Sequence, residues 1–363
     1  MTTVSGAGTP TDPVGGDRRG VPAHRVTVVG GAAGGEATFE VAEGERIHAA
    51  ARRAGVWLPF ECGWGSCGTC KATLVEGQVV SLFPQAPAID ARDERRRRVL
   101  LCQSTTTADL VVKTTRVESR PPPERPVRDL RARLAETEPL APGISRFRFR
   151  LTDDSGSPVA ADYRPGQYAV LELAPGLRRC LSMAGPPGED QVEFIAKCYP
   201  GGEGSQRLFA LHRGDQIPVE LPYGDMWLRP AEEAPGRPTV LVAGGTGISA
   251  ILALVRQVAA EASSRPVDVV YGAATLTDLV CWEELTRLVS PLGNARVHGA
   301  VLDCGPGWSG TVGLVTDALD PVLARAPSPE VYLAGPPPMV RAVQEQLDRH
   351  AVGRDRVHVD SFG

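Results

Sequence analysis

The sequence predicts a multidomain chain of α+β and α/β character: a small mixed domain, an antiparallel β-barrel and a doubly wound parallel sheet. Three observations carry this. At 363 residues the chain exceeds what one ordinary core organises, so two or three domains are expected. Residues 128–232 form short β-like runs separated by Gly- and Pro-rich turns, the pattern of an antiparallel barrel. From Pro238 onward strands alternate with helices, the pattern of a doubly wound sheet.

Residues 1–23 hold Gly, Pro, Ser, Thr and charge with no apolar stretch, and read as a disordered tail without a secretory signal. Residues 25–29 and 37–41 read as paired strands, joined through Gly30–Gly35 as a hairpin connection. A helix is expected over 45–54, with Ile47, Ala50, Ala51 and Ala54 on one face and Gly55 as its stop. The Pro-rich run from Ser119 to Pro126 reads as a semi-rigid linker. Strands are expected at 145–151, 168–173 and 192–197, then at 239–243, 267–271 and 330–334. Helices are expected at 248–262, 279–288 and 339–349. The resulting division is a tail 1–23, a first domain 24–118, a linker 119–127, a barrel 128–236 and a parallel-sheet domain 237–363.

Four cysteines carry the chemistry. Cys62, Cys67 and Cys70 form a C-x4-C-x2-C cluster, and Cys102 follows after 31 intervening residues. This is the plant-type spacing for a two-iron, two-sulfur cluster. Gly63, Gly65 and Gly68 allow the positive-φ backbone that wrapping a cluster demands. Structural zinc ordinarily takes two C-x2-C knuckles and only one is present; disulfides need an oxidising compartment. Cys180, Cys198, Cys281 and Cys304 share no such spacing and read as buried or half-buried thiols.

Composition narrows the class. Apolar content of 42% and charged content of 23% are globular values, and the net charge of −4 argues against nucleic acid. No apolar run approaches the roughly 18 residues that span a bilayer, so no membrane partner and a cytoplasmic, monomeric protein are expected. Arg95–Arg98, just before Cys102, read as a solvated helical turn; the alternative is a basic patch steering an acidic partner.

Over its ordered length the chain resembles the reductase components of bacterial multicomponent oxygenases. In these a plant-type ferredoxin domain, of β-grasp fold, is joined to a ferredoxin–NADP reductase-like flavin and nicotinamide module. The resemblance implies FAD, a 2Fe–2S cluster and NADH as cofactors, and an oxygenase component as the partner. Arg179-Cys180-Leu181-Ser182 is similar to the family's Arg-x-Tyr-Ser motif, which places Arg179 on the flavin pyrophosphate and Ser182 near N5. Leu181 stands where the family has a stacking tyrosine. Pro200–Ser205 resembles the family's phosphate loop, which implicates Gly202, Gly204 and Ser205. Leu221–Trp227 is similar to a strand whose role is packing. Gly244-Gly245-Thr246-Gly247 matches the family's nicotinamide turn, and Gly335-Pro336-Pro337 with Met339 its second contact, where Ala334 replaces the commoner cysteine. At the terminus, Asp360 and Phe362 take the places of an acidic and an aromatic residue over the flavin.

The resemblance implies catalytic roles for Ser182, Thr246 and Asp360 and none for the six histidines. It implies transfer from NADH through FAD and the cluster to a separate diiron or Rieske-type monooxygenase or dioxygenase. The alternatives are another acceptor, such as a cytochrome P450 or a ferric complex, and a non-catalytic electron-carrying or sensing module. No Lys or Arg lies in Tyr271–Asp278, where NADP-dependent relatives place a cation, so NADH is expected over NADPH.

Overall fold

The computed structural model describes residues 21–30, 35–115, 118–119, 125–230, 236–261 and 265–361. Most of the tail, the hairpin connection at 31–34, the middle of the Pro-rich linker and Phe362 lie outside the described residues. The chain divides into two compact units. One takes residues up to Leu130 with Val170–Cys180 and Ile217–Val219; the other takes Arg131–Ala169, Leu181–Gln216 and Glu220 onward.

In order, the first domain contains β1 (Ala23–Val29), β2 (Glu36–Ala42), α1 (Ile47–Arg53), β3 (Val56–Trp57), β4 (Lys71–Glu76), β5 (Val80–Ser81), α2 (Ala91–Arg95), β6 (Arg98–Leu100), β7 (Ser104–Thr105), β8 (Leu110–Lys113) and β9 (Glu118–Ser119). Five strands form a mixed sheet in the order β2-β1-β8-β4-β6, with β1 antiparallel to β2 and parallel to β8, the β-grasp arrangement. Alternation decides which side chains enter the core: Val26 and Val28 are fully buried, and Ile47, Ala50 and Ala51 of α1 close over them. Ala54 departs from the expected helical face, because the helix ends at Arg53 and leaves it exposed. Arg95 ends α2 and Arg97 adopts φ 54°, so the four arginines form an exposed turn rather than a helical face.

The barrel strands are β10 (Arg128–Ala141), β11 (Ile144–Thr152), β12 (Tyr168–Ala174), β13 (Leu177–Ser182), β14 (Gln191–Lys197) and β15 (Gln216–Tyr223), with α3 (Glu203–Phe209) before the last. They form one six-stranded sheet in the order β13-β12-β15-β10-β11-β14. A bridge between Met183 and Phe194 joins the chain just after β13 to β14 and removes the open edge there. Sequence reading did not mark β10, whose exposed positions are charged. Its period is nevertheless two: Leu130, Ala132 and Leu134 are buried.

The last domain is wholly parallel. Its elements are β16 (Thr239–Gly244), α4 (Ile248–Ala260), β17 (Val267–Thr275), α5 (Trp282–Val289), β18 (Ala295–Asp303), β19 (Thr311–Val312), α6 (Val315–Arg325), β20 (Glu330–Gly335), α7 (Pro337–Arg349) and β21 (Val357–Ser361). The order β19-β18-β17-β16-β20-β21 runs outward in both directions from β16. Being buried on both faces, β16 and β20 are predominantly apolar after their first residues, Thr239 and Glu330. The helix expected near 279–288 begins only at Trp282. Thr275 Oγ1 donates to Asp278 Oδ2 at 3.0 Å and holds a turn, and Cys281 sits at φ 60° before the helix starts. Pro321 inside α6 hid that helix from the sequence pattern.

Helix α4 leaves β16 through a tight crossing. A Cβ on Gly247 would lie 2.2 Å from the Ala334 carbonyl oxygen of β20, backbone against backbone. Gly247→Ala is therefore expected to destabilise the protein by about 1–3 kcal/mol, the usual cost of overpacking. Thermal unfolding checks this, with Gly293→Ala, whose added methyl meets nothing within 4 Å, expected to be near neutral.

Candidate functional site

The cysteine loop between α1 and β4 is held by its own glycines. Gly63, Gly65 and Gly68 adopt φ of 67°, 99° and 74°, and at Gly65 a side chain would press on Ala86 and Leu100. The backbone N–H of Cys67 points to Cys62 Sγ at 3.5 Å and that of Thr69 to Cys67 Sγ at 3.4 Å. Across the fold, Cys70 Sγ lies 3.1 Å from Cys102 Sγ. Cys102 stands in a short 3-10 turn, Leu101–Gln103, within the core of the domain.

The four thiols are thus sorted into two pairs, Cys62 with Cys67 and Cys70 with Cys102. Among the described residues no group of three or more His, Cys, Asp or Glu converges on a single ion. Two pairs suit a two-iron centre, in which each iron takes two terminal thiolates, better than a single zinc. Within each pair one sulfur stabilises the other's thiolate. A hydrogen bond with Cys67 holds the Cys62 pKa down to about 4, and one with Cys102 lowers that of Cys70, against the burial that opposes both. Cys67 and Cys102 are correspondingly raised, first by those same bonds and then by burial. In Cys102 the charge of Arg178 acts in the opposite direction, favouring the thiolate.

In the same compact unit, Arg178 Nη1 donates to the Gly63 carbonyl at 3.1 Å and the Cys180 thiol donates to the Cys62 carbonyl. The Arg179 guanidinium lies over the Trp64 ring at 4.3 Å and donates to the Arg178 carbonyl. Cys180 is half-buried, as are Cys198, Cys281 and Cys304.

The second unit assembles the other sequence-marked residues. Ser182 Oγ donates to Asp360 Oδ2 at 2.6 Å, joining the end of β13 to β21 across 178 residues of chain. Asp360 is the ladder partner of Ala334 in β20. Gly244, Gly245, Thr246 and Gly247 end β16 and turn into α4, and Gly335 and Pro336 end the adjacent β20. These two strand ends are packed on each other: a Cβ on Gly244 would strike Met339 Sδ, and one on Gly335 would approach the Gly244 Cα at 3.4 Å. They flank the point where strand order reverses, the usual place for a ligand in an open α/β sheet. Gly245, at φ 52°, has open space on the side where a Cβ would project. Pro337 opens α7 at its first position.

The phosphate-loop residues lie elsewhere in this unit. Gly202 precedes α3, and Gly204 and Ser205 lie in its first turn. Ser205 Oγ donates to the Gly202 carbonyl at 2.9 Å and accepts from Tyr199 N. Leu181 is half-buried. Leu221, Tyr223 and Met226 are buried and Tyr223 stacks on Tyr168, in keeping with a packing role.

Two features escaped the sequence reading. Ser249, 2% exposed, donates to the Ser182 carbonyl at 2.7 Å and accepts from Ile195 N, pinning the end of β13 to α4. Its signal was a lone polar residue in the apolar run Ile248–Val255. The second is an ionic cluster. Arg146 pairs with Glu284 at 2.6 Å, Arg148 with Glu193 at 3.0 Å, and Arg256 with both glutamates. Burial alone would raise the Glu284 carboxyl, but Arg256 and Arg146 hold it below the usual range. Widely spaced residues of both signs gave no sequence pattern here.

Comparison with known proteins agrees with this anatomy. Residues 32–107 match the 2Fe-2S iron-sulfur cluster binding domain, 131–227 the oxidoreductase FAD-binding domain and 241–345 the oxidoreductase NAD-binding domain. The chain is 34% identical, over 90% of its length and 98% of the relative, to the ferredoxin–NAD(+) reductase component of the alkene monooxygenase system of Xanthobacter autotrophicus. The solved ferredoxin reductase of carbazole 1,9a-dioxygenase superposes with a TM-score of 0.80 at 30% identity, covering 94% of this chain and 99% of that one. An Amycolatopsis cytochrome P450 reductase superposes with a TM-score of 0.71 at 28% identity, covering 93% and 98%. With ferredoxin, flavin and nicotinamide domains in this order, and a relative above 30% identity over nearly its whole length, the chain belongs to the iron–sulfur flavoprotein reductase components of oxygenase systems.

Proposed function

We propose that the protein oxidises NADH and delivers the electrons singly, through FAD and a 2Fe–2S centre, to a separate oxygenase component. The observation that carries this reading is the sorting of four cysteines into two thiol pairs, in one chain with a parallel sheet whose reversal point is closed by Gly-rich turns. A flavin supplies the conversion between a two-electron hydride donor and a one-electron acceptor. The protein supplies position. The turn at Gly244–Gly247 and the Gly335–Pro337 segment, with Met339, receive the nicotinamide half of NADH. Thr246 orients it, and Gly245 lets its ring approach the backbone.

Ser182 and Asp360 form a polar pair, and the Ser182 hydroxyl would orient the reacting edge of a bound flavin. Asp360 holds the hydroxyl in place by accepting its hydrogen bond at 2.6 Å. Arg179 would hold the flavin pyrophosphate, with Gly202, Gly204 and Ser205 toward its phosphates; Cys180, Leu181 and Phe362 would contribute to holding the flavin. Cys62, Cys67, Cys70 and Cys102 hold the cluster. The proposed boundaries are 24–118, 119–127, 128–236 and 237–363, in a monomeric cytoplasmic protein. Among the described residues no helix is long and apolar enough to cross a membrane.

A second reading changes only the acceptor, to a cytochrome P450; it is favoured by the likeness to the Amycolatopsis P450 reductase.

Cys102→Ser should lower iron content while leaving NADH–ferricyanide activity near that of the parent, since ferricyanide takes electrons from flavin. Coupling to the oxygenase component should fall at least tenfold. Equal coupling in parent and variant would remove the cluster from the route, and zinc in place of iron would remove the cluster itself. Ser182→Ala, lacking a hydrogen bond to a carboxylate, should slow flavin reduction in stopped flow by about 10–100-fold, the equivalent of roughly 1.5–3 kcal/mol. Its cluster signal should be unchanged. NADH should exceed NADPH in kcat/KM, because Ala274 at the exposed end of β17 offers no cation to a 2′-phosphate. Steady-state rates with both donors decide; parity or a preference for NADPH contradicts it.

A further inference from the structure

Strand β13 reaches the cysteine loop as well as carrying the Arg-Cys-Leu-Ser motif. Alternation puts Arg178, Cys180 and Ser182 on one side of the strand. Arg178 Nη1 donates to the Gly63 carbonyl at 3.1 Å, and Gln103 Nε2 donates to the same oxygen at 3.2 Å. Gly63 follows the first cysteine of the cluster and Gln103 follows the fourth. One carbonyl therefore ties Arg178 to the backbone beside both ends of the ligand set, and the Cys180 thiol on the neighbouring Cys62 carbonyl reinforces the hold.

Arg178 is only 3% exposed. A guanidinium keeps its charge at any working pH, and stripping water from it is costly unless negative charge lies near. A centre held by four thiolates supplies such charge, and gains one more negative charge on reduction. The potential of such a centre depends on nearby charge, hydrogen bonding and exposure to water. A buried positive charge beside it favours the reduced form.

We propose that Arg178 tunes the 2Fe–2S centre from the flavin-domain strand: its buried charge raises the cluster's reduction potential, and its bond to Gly63 fixes the loop. This makes Arg178 a positioning and electrostatic residue, and rests on Cys62, Cys67, Cys70 and Cys102 being the ligands.

The test uses the full-length holoprotein with Arg178→Gln and Arg178→Lys. Iron and sulfide are quantified first. The cluster is then titrated by EPR potentiometry, with the flavin followed optically in the same sample as a reference. The Gln variant should shift the cluster's reduction equilibrium at least tenfold toward the oxidised form, 59 mV for one electron. The Lys variant should stay close to the parent, and the flavin couple should not move. Loss of iron in the Gln variant, with iron and potential retained in the Lys variant, also supports a requirement for charge. An unchanged potential in a fully loaded Gln variant overturns the proposal. So does an equal drop in both variants, or loss of iron in both, which leaves Arg178 a packing role only. A parent protein lacking two irons per chain overturns the ligand assignment and the proposal with it, and the iron analysis identifies that failure separately.

Discussion

The second compact unit depends on the close approach of two parallel strands that send the chain in opposite directions. β16 turns back over the sheet through α4, and β20 leaves through α7; between them the backbone has no room for a side chain at Gly247. Because both strands are buried on both faces, their ends are the places where backbone emerges from an apolar core with its polar groups unpaired by the ladder. The sheet thus creates a polar notch by topology alone. Asp360 is brought to this neighbourhood by its backbone register with Ala334, and Ser182 by the Ser249 hydroxyl, which donates to its carbonyl.

The cysteine loop works on a different principle. Its conformation is set by glycines with φ between 67° and 99° and by N–H groups aimed at sulfur. Pairing the thiols lowers the pKa of one member of each pair and raises that of the other, so each pair gives up its first proton readily and holds its second.

Much of this was legible in the sequence because it rests on local rules. The cysteine spacing, the apolar runs at 239–243 and 330–334, and the glycine turns each report a backbone demand at a fixed position. What stayed hidden was non-local or locally contradicted. β10 carries so much charge on its outer face that its buried Leu130 and Leu134 do not announce a strand, and Pro321 masks α6. Ser249 and Arg178 are single polar residues whose importance lies only in what the fold puts opposite them. The end of α1 at Arg53 was misjudged by one residue, because Ala54 fits a helical face in composition but lies past the last helical turn.

The ionic cluster of Arg146, Arg148 and Arg256 with Glu193 and Glu284 has a consequence for how this protein can change over time. Glu193 answers to three arginines and Glu284 to two, so deleting either carboxylate strands charges that are already largely removed from water. Single substitutions there meet a barrier that compensated pairs do not, and their effects are strongly non-additive. Drift at these positions is therefore expected to occur in concert, as exchanges of whole ion pairs for apolar groups of matching volume. The exposed arginines at 95–98 belong to no such shared network: Arg98 faces Asp93 at 3.7 Å, and Arg97 donates to the Val75 and Gly77 carbonyls.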